Sequence, residues 1–185
     1  MGLLEVRLFG DPVLRQRALE VRDFDGALAR LAEDMAATMH ANDGVGLAAN
    51  QVGVLRRLFT FDVPTTDERE GMAGAVTNPA LVAASEERQD GDEGCLSFPG
   101  LFYPVERPLE VRVRHQGLDG EEREVELHGL LARVWLHEMD HLDGVLFVDH
   151  LARHDRREAL RIMRERDLDA DEVPGLPDVL GAPGR

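Results

Sequence analysis

Apolar side chains recur at helical spacing in three segments of the chain. Between residues 25 and 41 they fall three or four positions apart, and Asp25 stands where an N-cap is expected. The segment 129–141 is apolar on most sides, which predicts a buried helix, and Gly144 follows as its C-terminal cap. A third, arginine-rich helix is predicted at about 152–166.

Alternation of apolar and polar residues predicts strands between the first two helices. Residues 55–63 show it, and 109–116 shows it most cleanly. A further strand candidate is 75–82, in which Asn78-Pro79 marks an irregularity or an edge. A turn at 117–120 leads into a strand near 121–128, so these segments predict a hairpin. Three other segments are predicted to be irregular: 44–53, 65–73 and 84–94. The predicted fold class is α+β, with mixed or antiparallel strands packed around the buried helix and a further helix on either side of them in the chain.

Length and composition predict a single domain. The chain has 185 residues, which is enough to bury a core without disulfides. The stretch 168–185 is rich in Asp, Pro and Gly, which predicts a flexible tail behind one domain at 1–167.

The charge balance excludes several classes of function. The net charge is −15 and all 21 basic residues are arginine, so we expect neither specific DNA binding nor lysine chemistry such as a Schiff base.

No segment has the length of a membrane span or the form of a signal peptide. The expectation is a cytoplasmic protein without membrane contact, and its one cysteine, Cys95, excludes an internal disulfide.

The strongest chemical signal is the sequence His137-Glu138-Met139-Asp140-His141. Residues i and i+4 share one face of a helix, so the two imidazoles point to one place, where they suit a transition metal. Glu138 lies beside them, within reach of a water at the ion. The alternative is a helix that contains two histidines by chance. A buried apolar helix carries such residues at a cost, however, unless they are paired or bind a metal.

Cys95 is the candidate for a third ligand. A catalytic metal site uses three protein ligands and leaves one position open. A lone cysteine is most often a small core residue. The setting Glu93-Gly94-Cys95-Leu96-Ser97 predicts a tight loop, which suits a ligand better than a core position.

A glycine-rich segment precedes both motifs. Gly44 and Gly46, within 44–51, permit unusual dihedral angles or a close approach of the backbone. An ordinary helix-to-strand turn would explain the glycines as well. Phosphate binding is disfavoured, because the segment has neither a lysine nor the GxGxxG order.

Together, and in this order, the three segments resemble those of the peptide deformylase family. The family's Gly-φ-Gly-φ-Ala-Ala-x-Gln (φ, hydrophobic), Glu-Gly-Cys-Leu-Ser and His-Glu-x-Asp-His patterns stand at 44–51, 93–97 and 137–141. Residues 10–15 also resemble the family's N-terminal region, and the resemblance covers about 5–152. Several positions depart from the usual pattern of this family: Leu136 stands where the family commonly has Gln, and Asn50 occupies the variable position before Gln51. The acidic loop 83–92 and the tail have no counterpart in the family pattern.

The resemblance implies hydrolysis of the N-formyl group from the formyl-methionine of newly synthesised polypeptides, with release of formate. It implies one divalent ion on Cys95, His137 and His141. Glu138 would then take a proton from water and deliver it to the leaving amine.

The same resemblance implies further site residues. The side-chain amide of Gln51 and the backbone N–H of Leu96 are expected to stabilise the oxyanion. Val45 and Gly46 are expected to hydrogen-bond an extended substrate through their backbone.

The methionine side chain is expected in an apolar pocket. Leu130 and Val134 would line it together with Val45, and Arg133 would lie at its rim. Arg107 is expected to pair with Asp140 and brace the metal-binding helix. The alternative is a surface salt bridge that contributes little.

The ion and the partners are less well defined. Cys-His-His ligands suit Zn²⁺ or Fe²⁺, and the resemblance implies Fe²⁺ in the cell, with Zn²⁺, Ni²⁺ or Co²⁺ as substitutes.

The expected partners are N-formyl-methionyl nascent peptides. One face of the third helix is a candidate for a weak contact with ribosomal RNA, the alternative being a solvated helix face. It comprises Arg153, Arg157, Arg161 and Arg164.

Two other classes remain open at this point. A zinc peptidase with an HExxH motif would use Glu or His, not Cys, as its third ligand. A non-enzymatic alternative is an inactive relative used for binding, against which the intact Glu138 and Gln51 argue, or a structural metal site. A structural site is normally closed by four protein ligands. The remaining histidines have no convincing spacing for a fourth ligand: His40, His115, His128, His150 and His154.

Overall fold

Three α-helices and nine strands form the described part of the chain. The computed structural model describes residues 2–64 and 71–168. The helices are α1 (Gly26–Ala41), α2 (Gly129–Leu142) and α3 (Arg153–Leu168). The strands are β1 (Gly46–Ala48), β2 (Leu58–Val63), β3 (Met72–Ala84), β4 (Arg88–Gln89), β5 (Asp92–Cys95), β6 (Phe98–Pro104), β7 (Arg107–Pro108), β8 (Glu110–Gln116) and β9 (Glu122–His128). None of the described helices is both long and apolar enough to cross a bilayer.

The main sheet has five antiparallel strands in the order β1-β2-β3-β8-β9, so β1 lies at one edge. The long strand β3 pairs with β2 along its first half and with β8 along its second half. Between the halves the register shifts and Asn78 has a positive φ of 48°, which bends the strand. Two small sheets, β4-β7 and β5-β6, are formed by the chain between β3 and β8.

The helix α2 is buried because its apolar side chains pack against the main sheet. Trp135 is fully buried and contacts Phe59 and Phe61 of β2 at ring-centroid distances of 5.2 and 5.1 Å. Such edge-to-face pairs contribute about 0.5–1.5 kcal/mol beyond the burial of the rings. Leu136, which departs from the family pattern, lies in the same buried cluster, so its contribution here is packing.

The structure confirms the predicted α+β class, the three helices and the β8–β9 hairpin. The predictions of irregular structure are wrong in part, because 46–48 form β1, 72–73 begin β3 and 88–89 form β4. The strands β5 and β6 were also not expected. These strands contain glycine or depend on partners elsewhere in the chain, which local periodicity does not reveal. The predicted tail at 168–185 lies outside the described residues, apart from Leu168 at the end of α3.

Gly144 follows α2 in a conformation that other residues adopt at a cost. Its φ is +74°, and a Cβ at this position would overlap the backbone of Arg15. Gly129, at the start of α2, also has a positive φ, +59°, but an added Cβ there would meet open space. Alanine substitutions at these two positions can therefore distinguish the free-energy cost of the positive φ from the cost of the overlap with Arg15.

We predict that Gly144→Ala lowers the free energy of unfolding by more than Gly129→Ala does. The second variant carries only the cost of a left-handed conformation, about 1–2 kcal/mol. The first adds the overlap with Arg15. Urea titrations of both variants measure the difference, and equal losses would contradict the prediction.

Candidate metal centre

Two elements deliver the three predicted ligands to one place. The helix α2 carries His137 and His141 one turn apart, and Cys95 is the last residue of β5. His141 Nε2 lies 3.2 Å from Cys95 Sγ and 3.2 Å from His137 Nε2. All three ligand atoms lie within 4.8 Å of one another, and within the described residues no other trio of potential ligands meets this condition.

This arrangement fits a divalent metal ion. Nitrogen and sulfur ligands bind zinc at about 2.0–2.3 Å, so atoms that share a tetrahedral ion are about 3.3–3.6 Å apart. The two distances of 3.2 Å are close to that range. One thiolate and two imidazoles also form a ligand set that transition metals prefer.

The imidazole rings of the two histidines have pKa values shifted in opposite directions. Burial lowers the pKa of His141 well below its usual value, and the charge of His137 adds to this effect. Burial also acts to lower the pKa of His137, but its hydrogen bonds with Cys95 and Glu93 outweigh burial and raise that pKa well above its usual value. A metal needs neutral imidazoles and a thiolate, so binding an ion displaces protons from this cluster.

Glu93 holds the ring of His137 in place. Its Oε2 lies 3.0 Å from His137 Nδ1, which leaves Nε2 to face the other ligands. Both carboxylate oxygens accept hydrogen bonds from Arg107, at 2.7 and 2.9 Å, and Arg133 donates to Oε1 at 3.0 Å. Burial acts to raise the pKa of Glu93, but the hydrogen bonds and charges of Arg107 and His137 lower it to about 2. Glu93 is therefore a buried carboxylate at neutral pH.

Arg107 connects Glu93 to the metal-binding helix. Its Nη1 donates to Asp140 Oδ2 at 2.7 Å, which is the pair expected from the sequence. Asp140 Oδ2 also lies 2.7 Å from His150 Nε2. Arg107 is only 5% exposed, so this pair is not a surface salt bridge.

Glu138 lies beside the ligands without a hydrogen-bond partner for one of its oxygens. The residue is 3% exposed, and its Oε2 contacts no donor in the described part of the chain. Burial raises the pKa of Glu138 to about 7, against the opposing charge of His137. A Cβ at position 46 would overlap this carboxylate. Gly46 is therefore required by a close approach, not by a turn.

Gln51 points its amide nitrogen at the cysteine. Its Oε1 accepts from the backbone N–H of Ala48 at 2.8 Å, which fixes the orientation of the amide. Its Nε2 donates to Ser97 Oγ at 3.2 Å and lies 3.5 Å from Cys95 Sγ. An amide N–H donor thus stands next to one metal ligand.

A cavity of about 400 Å³ opens onto these side chains. Its lining includes Val45, Gly46, Gln51, Cys95, Leu96, Leu130, Val134, His137 and Glu138. His141 is 1% exposed and lies outside this lining. Arg133 also borders the cavity, and it is 5% exposed and donates to Glu93 and to the carbonyl of Val105.

Two neighbours of the centre were not assigned a role from the sequence: Glu93 and His150. A signal existed for Glu93, because a ligating histidine usually donates its second ring nitrogen to a carboxylate or carbonyl. Glu93 was the acidic residue within the cysteine motif. No local signal indicated His150. Within the described residues, none of the other histidines joins the cluster: His40, His115, His128, His150 and His154.

The chain matches the model of the polypeptide deformylase family over residues 3–157. It is 49% identical over 164 residues to peptide deformylase 1 of Corynebacterium glutamicum, an alignment that covers 89% of this chain and 96% of that protein. It is 48% identical over 167 residues to the peptide deformylase of Acidothermus cellulolyticus, with 90% and 89% covered.

Solved structures of peptide deformylases share the fold. The Thermotoga maritima enzyme has a TM-score of 0.76 at 44% identity, with 82% of this chain and 99% of that chain covered. The Ehrlichia chaffeensis enzyme in complex with actinonin has a TM-score of 0.84 at 35% identity, with 94% and 100% covered. Sequence, fold and the Cys-His-His cluster agree: this chain belongs to the polypeptide deformylase family, metal-dependent hydrolases that remove the N-formyl group from nascent polypeptides.

Proposed function

We propose that this chain releases formate from the N-terminal formyl-methionine of new polypeptides at a divalent ion held by Cys95, His137 and His141. The observation that carries the proposal is the convergence of these ligand atoms, within 4.8 Å of one another, beside the buried Glu138. We assign the catalytic domain to residues 1–167, of which the family model matches 3–157. The place of action would be the cytoplasm, where nascent chains carry this group.

Three protein ligands suit a catalytic ion, because they leave a coordination position open. When bound, such an ion supplies Lewis acidity, which lowers the pKa of a coordinated water and polarises the formyl oxygen. Thiolate and imidazole suit iron and zinc alike, and the family resemblance favours Fe²⁺ in the cell. Zn²⁺, Ni²⁺ and Co²⁺ would occupy the same ligands as substitutes.

Glu138 is the proposed proton carrier. Its unpartnered Oε2 and its pKa of about 7 suit a group that accepts a proton from the attacking water. The same carboxyl would return the proton to the amine nitrogen as the C–N bond breaks. Gly46 allows this carboxylate to stand directly against β1.

Gln51 and Leu96 are the proposed donors to the oxyanion. The oxygen of Gln51 is occupied by Ala48, so its nitrogen is the end that faces the cysteine. An N–H donor at such a position typically contributes about 10²–10³ in rate, because it stabilises charge that develops in the transition state. The backbone N–H of Leu96, next to Cys95 in the chain, is the second proposed donor.

The open edge of β1 is the proposed binding line for the substrate backbone. The carbonyl of Val45 accepts from Asp62 N at 3.0 Å, so it faces β2. Backbone groups alternate in direction along a strand, so Gly46 would present its N–H and C=O to the substrate. Val45 would contribute its side chain, which is 43% exposed, rather than its carbonyl.

The methionine side chain is proposed to enter the apolar part of the cavity. Leu130 and Val134 lie one helical turn apart on α2 and both line the cavity. Their spacing places them on one face of the helix, next to His137.

Ribosomal contact is proposed for the outer face of α3. Four of the arginines of α3 lie on this face and are exposed: Arg153, Arg157, Arg161 and Arg164. Arg161 forms a salt bridge with Glu165 at 2.8 Å, so phosphate groups would compete with that carboxylate.

A chain truncated after residue 152 should co-sediment less with ribosomes at low salt than the full chain does. Equal co-sedimentation would contradict the proposal.

We predict that Glu138→Gln reduces formate release from a formyl-Met peptide by at least about 100-fold, because the amide cannot carry the proton. The bound metal should stay at the parent level, since Glu138 is not a proposed ligand. Glu126→Gln, which changes an exposed glutamate of β9, is the control and should retain activity. Parent-like activity of Glu138→Gln with metal bound would overturn the proposed role.

We predict that Arg107→Ala weakens metal binding by about 10- to 100-fold, the usual effect of losing a partner behind the ligands. The substitution leaves Glu93 without its two-point donor and Asp140 without its arginine. Stability should fall by about 3–5 kcal/mol, as when a buried pair loses one member.

The matched control for Arg107→Ala is Arg112→Ala. Arg112 pairs with Glu124 at 3.4 Å with both side chains nearly half exposed, and such surface pairs contribute about 0–1 kcal/mol. Metal titration and urea unfolding measure both variants. If they behave alike, Arg107 does not brace the site.

A further inference from the structure

The short helix Ala49–Val52 contacts both elements that carry the proposed metal ligands. Two buried amides stand next to each other in it, Asn50 at 0% and Gln51 at 1% exposed. Gln51 reaches the β5–β6 hairpin through Cys95 and Ser97. Asn50 reaches α2, where its Nδ2 donates to the backbone carbonyl of His141.

The local geometry explains why neighbouring side chains point to different elements. A 3₁₀-helix has three residues per turn, so consecutive side chains leave the axis about 120° apart. One turn can therefore direct one amide toward the cysteine hairpin and the next toward the helix. The turn follows β1 directly, so its position is fixed by the main sheet.

The carbonyl of His141 lies in the last turn of α2, where backbone acceptors lack donors from within the helix. It accepts from the backbone of the helix end, including Gly144 N at 3.0 Å, and Asn50 is its side-chain donor. The hydrogen bond of Asn50 thus fixes the backbone of a proposed metal ligand. It is a tertiary contact across 91 residues of sequence.

The two proposed histidine ligands are held in different ways. The ring of His137 is fixed by Glu93 at Nδ1, whereas the Nδ1 of His141 has no hydrogen-bond partner in the described part of the chain. Orientation of His141 must then come from the packing of its ring and from its backbone. Asn50 is the side chain that bonds to that backbone.

We infer that Asn50 is a positioning residue for the metal, which fixes His141 relative to Cys95 by joining the end of α2 to the turn that carries Gln51. The inference rests on the ligand set proposed above. Asn50 would touch neither the substrate nor the ion. Its loss should therefore change the affinity and geometry of the metal site before it changes the binding of substrate.

The test uses Co²⁺ as the probe, because the visible absorption of a Co²⁺–thiolate site reports its geometry. Asn50→Asp keeps the shape of the side chain and removes the donor, and Asn50→Ala removes the donor without adding charge. Asn78→Asp is the matched control, because the Asn78 amide also donates to a backbone carbonyl, that of Val21, at 2.8 Å. Asn78 lies in β3 and does not border the metal cavity.

Both Asn50 variants should bind Co²⁺ about 10- to 100-fold more weakly than the parent chain, the usual effect of removing an outer partner of a ligand. At saturating Co²⁺ their visible spectrum should differ from that of the parent, and kcat should fall while KM stays near the parent value. Asn78→Asp should lower thermal stability and leave affinity and spectrum unchanged. Thermal unfolding of the metal-free variants identifies those that are folded.

Parent-like affinity and spectrum in a folded Asn50→Ala chain would overturn the inference. His141→Ala separates this outcome from failure of the ligand set. If His141→Ala loses Co²⁺ and the Asn50 variants do not, only the role of Asn50 is wrong. If His141→Ala also binds like the parent, the ligand set is wrong and the inference falls with it.

Discussion

The rest of the site depends on the ion pairs and hydrogen bonds that the buried carboxylate of Glu93 makes. It meets the guanidinium groups of Arg107 and Arg133 and the ring of His137. Removing a charge from water costs several kcal/mol, and its partners offset that cost only when the geometry is good and the remaining bonds are made. Because Glu93 lies on β5 and two of its partners lie on α2, this requirement keeps the cysteine strand and the histidine helix together.

A second constraint is the closeness of β1 to α2. The backbone at Gly46 leaves no room for a Cβ beside the Glu138 carboxylate. Glu138 is only 3% exposed at this contact, and burial raises its pKa to about 7. Gly46 therefore makes room for the buried carboxylate, whose raised pKa belongs to a side chain more than ninety positions away in the sequence. The close contact between Gly46 and Glu138 thus supports both the packing of β1 against α2 and the proton transfer proposed for Glu138.

Part of the site could be predicted because its causes are local. His137, Glu138 and His141 lie within one turn of a helix, so spacing alone placed two imidazoles on one face. Cys95 was a weaker case, because nothing near a lone cysteine shows which distant side chains it will meet. The order of three motifs supplied that information. The role of Glu93, the burial of Arg133 and the contact of His150 with Asp140 were not predicted, since each is a contact between segments far apart in the chain.

The sequence by itself determined the helices and the hairpin, because periodicity, caps and turns act over a few residues. The order of its three motifs identified the candidate ligands. The sequence did not determine the short strands β1, β4 and β5, whose hydrogen-bond partners are supplied by other segments. Only the tertiary structure decided which polar groups are buried and beside what. Burial and neighbouring charge set the ionisation of Glu93, Glu138 and His141, and both are properties of the packed molecule, not of any segment alone.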